Sequence, residues 1–597
     1  MSTSADGLTL GADFPAATAE QWRRLALAAL RKSGAATEET APEQVDDLLA
    51  TVTYDGLRMA ALHTADDAPP PPAGLPGQWP FVRGSRPLGG WDVRQAHAGR
   101  DPKQVREEIL TDLENGVTSL WLAVGGDGLP LSALPAALDG VYLDLAGVVL
   151  DPGPDFTAAA EAWSALLTAR GVDPAQARGG LGADPLGWLA RTGQKIAVGE
   201  AAALAVRYPE LRAISVDATV YHEAGASDAE ELGCATAAGV AYLRALTDAG
   251  LPIQEALGHL EFRFAATADQ FATIAKLRAA RRVWARVAEM CGAPEAGGQR
   301  QHAVTSAAMM TARDPWVNLL RTTLATFAAG VGGADAVTVL PFDHRLGRPD
   351  AVARRLARNT SLLLMEESHV ARVADPAGGS WYIERYTDEL AHAAWDWFTT
   401  IERAGGTVAA LDSGLISDRL AATWAKRAGN IAHRRDPITG VSEFPNLAER
   451  LPERPPAPVP ATGGLPRHRL AEAFERLRDR SDAHLAATGS RPTVHLALLG
   501  SPAAHGPRLT FATNLFAAGG IAVTTGESTS AVACVCGPDR AYAEEAEPTA
   551  AALRAAGATR VLLAGRGDYP GIDGHIAMGG DAIAVLTTVL ADLGVDE

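Results

Sequence analysis

The sequence predicts an α/β protein in which a (β/α)8 barrel of the TIM type is followed by a smaller α/β domain. Two observations lead to this prediction. Between residues 81 and 451, short apolar runs typical of strands alternate with longer amphipathic runs typical of helices, which indicates a parallel sheet with helical crossovers. Residues 491–597 repeat the alternation on a smaller scale. The length of the first region suits eight βα units with insertions. A doubly wound open sheet is the alternative.

Composition narrows the class of protein. The 597 residues are 47% hydrophobic and 21% charged, as in globular chains of several domains, and the formal charge is −18. A nucleic-acid-binding protein needs a basic face, so we expect no nucleic-acid partner. The four cysteines form no CxxC pair, which favours reduced thiols in a cytoplasmic protein. Residues 1–15 lack the pattern of a signal peptide, and we expect no membrane span.

Residues 1–80 are predicted to be an N-terminal arm and a connector. Residues 18–33 have the period of an amphipathic helix, which either packs on its own domain or reaches a partner subunit. Residues 66–80 include four consecutive prolines, which favour an extended path. The barrel is therefore expected to span residues 81–451.

The barrel elements follow from apolar runs and their period. The expected strands are residues 119–124, 140–145, 213–219, 259–265 and 336–340. The clearest helices are residues 101–115, 228–249 and 267–291.

The stretch from residue 313 to residue 384 predicts helix, strand, helix, turn and helix. Asp314-Pro315 supplies an N-cap and a proline in the first turn. A helical run at residues 354–372 ends before turn residues 375–380, and a third helix starts near Trp381. In the first helix, apolar residues recur with a helical period at Trp316, Leu319, Leu320, Leu324 and Phe327.

Residues 452–490 are predicted to be a proline-rich linker and a charged helix, with the helix at residues 469–485. In the last domain, residues 491–597, strands are expected at residues 494–499, 521–524, 531–536, 560–564 and 576–578. Five short strands alternating with helices indicate a flavodoxin-like domain, whose ligands bind beyond the carboxyl ends of the strands.

Short motifs give few leads. The chain has no P-loop, no GxSxG elbow and no HExxH zinc motif. His222-Glu223 follows the strand expected to end near Thr219, so this pair would lie on the catalytic face of the barrel or form a structural pair there.

Longer segments resemble a known family. DPWVNLLRTT begins at Asp314, and RLARNTSLLLMEESHVARVADPAGGSWYIE ends at Glu384. Together with LRAARRVWARV, which begins at Leu277, and PGQWPFVRG, which ends at Gly84, they are similar to the methylmalonyl-CoA mutase family. The resemblance implies a barrel whose axis holds an acyl-CoA and a C-terminal domain that binds adenosylcobalamin.

In the barrel, this chain differs from the family's catalytic chains at several positions. Val220 stands where those chains carry the catalytic His, and Ala96 stands where they carry an active-site Tyr. The loop at residues 85–90 is also shortened. Arg191 matches the family's substrate-carboxylate arginine, and His222 replaces a Gln. By this resemblance Arg191 and His222 are the remaining catalytic candidates.

The cobalamin motif departs as well. The family's D-x-H-x-x-G follows the first strand of the last domain, where this chain reads PAAHGP and has no Asp two residues before His505. His505 is therefore the remaining candidate for cofactor binding. Asp573-Gly574-His575 has the Asp-x-His spacing, but it lies near the last helix and its glycine comes one residue late, so we interpret Asp573-Gly574 as a turn. The last domain is expected to be a degenerate cobalamin-binding-type domain.

Such losses on a retained scaffold resemble the small, non-catalytic subunit of the family's heterodimeric bacterial enzymes. The resemblance implies no cofactor and no metal in this chain, adenosylcobalamin in a large catalytic subunit, and that subunit as a one-to-one partner. The complex would be an isomerase of methylmalonyl-CoA and succinyl-CoA. Two alternatives stay open: a self-sufficient acyl-CoA mutase, which needs His505 or His575 on cobalt, and a stand-alone acyl-CoA-binding protein.

Overall fold

The computed structural model describes residues 17–64, 66–67, 71–87, 89–459, 461–526 and 530–595. The expectation about a signal peptide, and parts of both proline-rich segments, lie outside these residues. The strands are β1 (Thr51–Val52), β2 (Arg58–Met59), β3 (Asp92–His97), β4 (Ser119–Ala123), β5 (Gly147–Asp151), β6 (Gly179–Gly180), β7 (Ile214–Asp217), β8 (Leu260–Ala266), β9 (Gln301–Thr305), β10 (Ala336–Thr338), β11 (Thr493–Leu498), β12 (Ala522–Thr524), β13 (Val532–Cys536), β14 (Arg560–Ala564) and β15 (Gly574–Ile576).

Helices account for most of the remaining regular structure. They are α1 (Ala19–Ser33), α2 (Val45–Leu49), α3 (Pro102–Glu114), α4 (Leu134–Ala137), α5 (Phe156–Arg170), α6 (Pro185–Thr192), α7 (Val198–Arg207), α8 (Thr219–Glu223), α9 (Asp228–Asp248), α10 (Ile253–Gly258), α11 (Gln270–Met290), α12 (Val317–Val331), α13 (Ala351–Leu362), α14 (Trp381–Arg403), α15 (Thr407–Asp412), α16 (Leu415–Ala432), α17 (Glu472–Thr488), α18 (Pro502–Ala518), α19 (Asp539–Ala555) and α20 (Ala582–Asp592). None of these described helices is long and apolar enough to cross a membrane.

Strands β3 to β10 form one parallel sheet in the order β6-β5-β4-β3-β10-β9-β8-β7. Backbone hydrogen bonds join its two outer strands: Leu181 N–H donates to the carbonyl of Arg212 (2.8 Å), and Ser215 N–H donates to the carbonyl of Ala183 (3.1 Å). These bonds close the sheet into a barrel, so the predicted (β/α)8 class is confirmed and the open doubly wound alternative is wrong for this region.

One predicted barrel strand is wrong. Residues 140–145 lie in a loop, and the strand comes later, as β5. The prediction failed because Val141 and Leu143 are buried while Tyr142 and Asp144 are exposed, which imitates the alternation of a strand. Strands β3 and β9 were not predicted at all, because buried polar residues such as Arg94 and His302 interrupt their apolar pattern.

Helix α12 carries its large apolar side chains on the outside. Trp316, Leu320 and Leu324 are 53%, 66% and 43% exposed, whereas Asn318 and Thr322 face the interior and are buried. The apolar period therefore predicted the helix but not its inner face. The outward side of α12 is an apolar surface of the kind that partner subunits cover.

The helical run predicted for residues 354–372 is too long at its carboxyl end. Helix α13 ends at Leu362, a π-helical turn follows at Leu363–Glu367, and His369 has a φ of 57°. A left-handed residue ends the helical path, and this is why the segment stops short.

The last domain is a five-stranded parallel sheet in the order β12-β11-β13-β14-β15. That order, with one helix after each of β11, β13 and β15, is the flavodoxin-like arrangement. The two predicted outer strands shift slightly, with β15 ending at Ile576 rather than at residue 578. The predicted smaller α/β domain is confirmed.

The N-terminal arm is fastened to the barrel by the β1–β2 hairpin. The carboxylate of Asp55 accepts a hydrogen bond from Ala229 N–H (3.0 Å) at the start of α9. Tyr54 donates to Asp436 and accepts from the side-chain amide of Asn430 (3.0 Å). Helix α1 of the same arm is less well covered, because its Leu25 side chain is 74% exposed.

Arg281 on α11 holds the segment that enters the barrel. Its guanidinium is 1% exposed and donates to the carbonyls of Phe81 and Val82, both at 2.9 Å. It also donates to the carbonyl of Gly332 (2.6 Å) and to the side-chain oxygen of Gln301 (2.6 Å). One buried side chain therefore joins the entry segment, α12 and β9.

Candidate functional site

A cavity of about 480 Å³ lies at the carboxyl ends of the barrel strands. Loops and short helices that follow β3, β6, β7, β9 and β10 line it, as expected for the functional face of a (β/α)8 barrel. We call this space the mouth cavity. Among its lining residues are both catalytic candidates from the sequence, Arg191 and His222.

Arg191 is held by an ion pair. It lies in the last turn of α6, and its guanidinium is 3.0 Å from the carboxylate of Asp217 at the end of β7. Burial alone would lower the pKa of Arg191, but Asp217 raises it above its ordinary value. Arg191 is therefore a permanent cation that already has a partner.

His222 is placed by the short helix α8 directly after β7. Its Nε2 atom is 2.7 Å from the hydroxyl oxygen of Ser306, and its Nδ1 atom is 3.5 Å from a carboxylate oxygen of Glu231. Val220, the residue at the family's catalytic His position, is 4% exposed and apolar. The sequence placed His222 on this face correctly but gave no sign of Ser306, which lies 84 positions further along the chain.

Beneath the mouth cavity, side chains fill the middle of the barrel. The guanidinium of Arg263 lies 4.1 Å from the centre of the Trp121 ring, and it donates to Asp217 (3.1 Å) and to Nδ1 of His302 (3.3 Å). His302 in turn contacts the hydroxyl of Thr338 at 2.8 Å. Burial, with the nearby arginines, holds the pKa of His302 well below its ordinary value, so the ring is neutral. We call Trp121, Arg263 and His302 the axial plug.

A second polar layer lies below the plug. Glu261 on β8 accepts from Arg94 at 2.6 Å, and Arg212 and Arg300 lie 3.6 and 3.9 Å from its carboxylate. Burial alone would raise the pKa of Glu261, but these arginines lower it to about 2. This layer and the plug separate the mouth cavity from a cavity of about 900 Å³ at the amino end of the barrel, which Arg94 and Arg212 line.

The proline-rich linker crosses the mouth of the barrel. Leu465 N–H donates to the carbonyl of Ala190 (2.7 Å), and Arg467 pairs with Glu223 (2.6 Å). Ala457, Pro458 and Arg467 line the cavity itself. Composition predicted a linker here, but it gave no information about the surface that the linker covers.

His505 does not reach the mouth cavity. Helix α18 begins at Pro502, directly after β11, so His505 lies inside the first turns of a helix. The side chain is mostly buried, and its Nδ1 atom is 3.2 Å from the carbonyl of Gly500. None of the described residues from 491 onward lines the mouth cavity.

The Asp573-Gly574-His575 triplet has a structural role. Both oxygens of Asp573 contact Arg554 at 2.6 Å, and one accepts from Val561 N–H (2.7 Å). The Nε2 atom of His575 is 2.6 Å from the carbonyl of Gly567. Gly574 and His575 belong to edge strand β15, so the interpretation of Asp573-Gly574 as a turn is wrong.

The residues present do not fit a cobalamin. A cobalt-binding histidine needs a side chain free to face the metal and an orienting carboxylate on its other nitrogen. His505 turns toward its own loop, and the carboxylate of Asp573 is held by Arg554. Across the described ranges, no group of three or more His, Cys, Asp or Glu side chains could hold a metal ion.

Comparisons with known proteins agree on one family. A family model described as methylmalonyl-CoA mutase matches residues 123–487. The methylmalonyl-CoA mutase small subunit of Streptomyces virginiae is 61% identical, over 99% of each chain. That of Propionibacterium freudenreichii subsp. shermanii is 40% identical, over 98% of this chain and 97% of its own. The methylmalonyl-CoA mutase large subunit of Streptomyces virginiae is 28% identical, over 74% of this chain and 64% of its own.

Proposed function

Because the chain belongs to the methylmalonyl-CoA mutase family, we propose that it is the non-catalytic small subunit of a heterodimeric mutase. The isomerisation of methylmalonyl-CoA and succinyl-CoA, a radical rearrangement that adenosylcobalamin initiates, would take place in a large subunit. This chain would stabilise that subunit and hold the dimer geometry.

The axial plug is the observation that carries the proposal. In the family's catalytic chains the acyl-CoA is expected to lie along the barrel axis. In this chain Trp121 and Arg263 occupy the middle of the barrel, and Glu261 with its arginines fills the layer below. A buried network of this kind is costly to open, because each charge would lose its partner. Ala96 and Val220, in place of the catalytic Tyr and His, support the same conclusion.

The small domain supports a chain without its own cofactor. The helix that contains His505 starts immediately after β11, and the histidine faces its own loop. We therefore assign adenosylcobalamin to the large subunit. Cofactor chemistry would then depend on the partner, whereas this chain contributes shape and surface, including the outward apolar side of α12.

The proposal includes the bounds of four segments of the chain. We propose an arm and connector at residues 1–80, the barrel at 81–451, a linker with its helix at 452–490, and the degenerate cobalamin-binding-type domain at 491–597.

The cysteines are free thiols: Cys234, Cys534 and Cys536 are buried, and Cys291 is exposed. Free thiols suit the reducing cytoplasm, where we place the complex.

Particular residues argue against the two alternatives, a self-sufficient mutase and a stand-alone acyl-CoA-binding protein. A self-sufficient mutase needs a cobalt ligand, and His505 and His575 both make backbone contacts instead. A stand-alone acyl-CoA-binding protein needs a channel for the pantetheine chain, which the axial plug fills.

A subunit-mixing experiment with Arg191 variants tests the proposed function. The purified chain and its organism's large chain should form a one-to-one complex in sedimentation analysis, and succinyl-CoA should appear only when the large chain is present. Arg191→Ala in this chain should leave the complex's kcat/KM within about twofold, because an arginine outside the reacting site stabilises no transition state. Arg207→Ala, at an exposed ion pair with Glu161, is the control. A loss of about 100-fold with Arg191→Ala alone would make this barrel catalytic.

A further inference from the structure

Three side chains at the mouth cavity lie in the order of a nucleophile, a base and an orienting acid. Ser306 follows β9, His222 lies on α8, and Glu231 lies in the first turn of α9. The Ser306 hydroxyl is 2.7 Å from Nε2 of His222, and Nδ1 of His222 is 3.5 Å from Glu231. Ser306 and His222 both line the cavity, whereas Glu231 is fully buried behind them.

Neighbouring groups favour the protonation state that such a set requires. Met309 N–H donates to the Ser306 oxygen (3.3 Å), so the hydroxyl proton is available to Nε2 of His222. With Nε2 as the acceptor, the ring proton of His222 is on Nδ1, the nitrogen that lies 3.5 Å from Glu231. This is the tautomer in which a histidine can remove a proton from a serine.

Two hydrogen bonds hold the Glu231 side chain in place. It accepts from Ala265 N–H (2.9 Å) and from the buried ammonium of Lys276 (2.9 Å). Burial alone would lower the pKa of Lys276, but Asp228 and Glu231 raise it above its ordinary value. The ion pair with Lys276 and the backbone contact together set the position of the Glu231 side chain relative to His222.

We propose that Ser306 is a nucleophile that accepts short acyl groups from esters or thioesters. The size and position of the cavity support this substrate class. About 480 Å³ accommodates a short acyl group, and the axial plug closes the cavity below, so the carbonyl of a bound acyl group stays near the wall that carries Ser306. The inference goes beyond the proposed function, because the mutase reaction uses none of these three side chains.

The reaction balances without any further reagent. The Ser306 oxygen forms a bond to the acyl carbon, and its proton moves to Nε2 of His222. The carbon–sulfur or carbon–oxygen bond then breaks, and the leaving thiolate or alkoxide takes the proton from His222. Water attacks the acyl-serine and gives a proton to His222. The bond between the acyl carbon and the serine oxygen then breaks, the serine oxygen takes the proton from His222, and the carboxylic acid leaves.

Fluorophosphonate labelling of the purified chain tests the inference. The serine oxygen displaces fluoride from phosphorus, and intact-mass and peptide mass spectrometry locate the adduct. We expect one adduct at Ser306, and none in Ser306→Ala. His222→Gln, the residue that catalytic relatives carry by the resemblance, should slow labelling by about 100-fold, because the general base is lost. Ser33→Ala is the matched control: Ser33 is exposed at the end of α1, far from the cavity lining, and its hydroxyl donates to the carbonyl of Leu30, so the labelling rate should stay near that of the parent.

A second measurement uses turnover. The parent chain should hydrolyse p-nitrophenyl acetate faster than Ser306→Ala and faster than His222→Gln. A parent chain with native circular dichroism that takes up no fluorophosphonate, or that labels equally in His222→Gln, would overturn the inference. Neither experiment includes the large chain or cobalamin, so its outcome does not affect the proposed function.

Discussion

Arg281→Met should destabilise the barrel by about 5 kcal/mol, because each buried acceptor that loses its donor costs about 1–3 kcal/mol. The guanidinium satisfies the carbonyls of Phe81, Val82 and Gly332 and the side chain of Gln301. Methionine fills much of the same volume but donates no hydrogen bond. The loss is comparable with the whole stability of an average domain, so the midpoint of urea unfolding should fall sharply, with little folded protein at 37 °C.

Arg286→Met is the control for this prediction. Arg286 lies on the same helix and is 56% exposed, with a single ion pair to Glu289 (2.6 Å). Exposed pairs contribute about 0–1 kcal/mol, so its midpoint should stay close to that of the parent. Equal midpoints for the two variants would show that Arg281 does not hold the entry segment in the way its contacts indicate.

Glu261→Gln should lower the free energy of unfolding by about 3–5 kcal/mol at pH 7, because Arg94 would be left as a buried cation without its counter-charge. The effect should depend on pH. The folded-state pKa of Glu261 is lowered to about 2, below the value of about 4.3 expected for the unfolded chain. Its carboxylate therefore stabilises the fold fully above about pH 4.5, and this contribution is lost as the pH falls toward 2.

Urea unfolding of the parent and of Glu261→Gln at pH 7, 4.5 and 3 measures this difference. The gap between the two midpoints should be widest at pH 7 and should narrow at pH 3. Glu161→Gln serves as the control, since Glu161 is 53% exposed in its pair with Arg207. A gap that is absent at pH 7, or that does not change with pH, would contradict the assignment of Glu261 as the counter-charge of the barrel interior.

Local chemistry in the sequence was enough to predict several helices, four of the eight barrel strands (β4, β7, β8 and β10) and the five strands of the last domain. The helix start near Trp381 and the apolar runs of β4, β8 and β13 are clear in the sequence, and they appear where expected. Strands β3 and β9 could not be found in this way. Their buried faces carry Arg94 and His302, which pair with residues distant in the chain.

The residues of the mouth cavity were also predicted only in part from the sequence. The position after a barrel strand correctly placed His222 on the carboxyl-end face, and Arg191 was found only through the family resemblance. Ser306 was missed because nothing near it in the chain indicates a histidine partner. The linker across the mouth was also missed, since proline-rich composition indicates an extended path but no docking surface. His505 and Asp573 show the converse, because motif-like spacing did not bring them to a common site.

We propose that this chain binds no cofactor of its own and that its role as a small subunit depends on this. The most direct test is to incubate the purified chain with adenosylcobalamin, desalt it and record its absorbance between 300 and 600 nm. We predict a colourless protein, and retention of the cofactor only after the large chain is added. A pink or red small chain, retained through desalting and lost in His505→Ala or His575→Ala, would contradict the account.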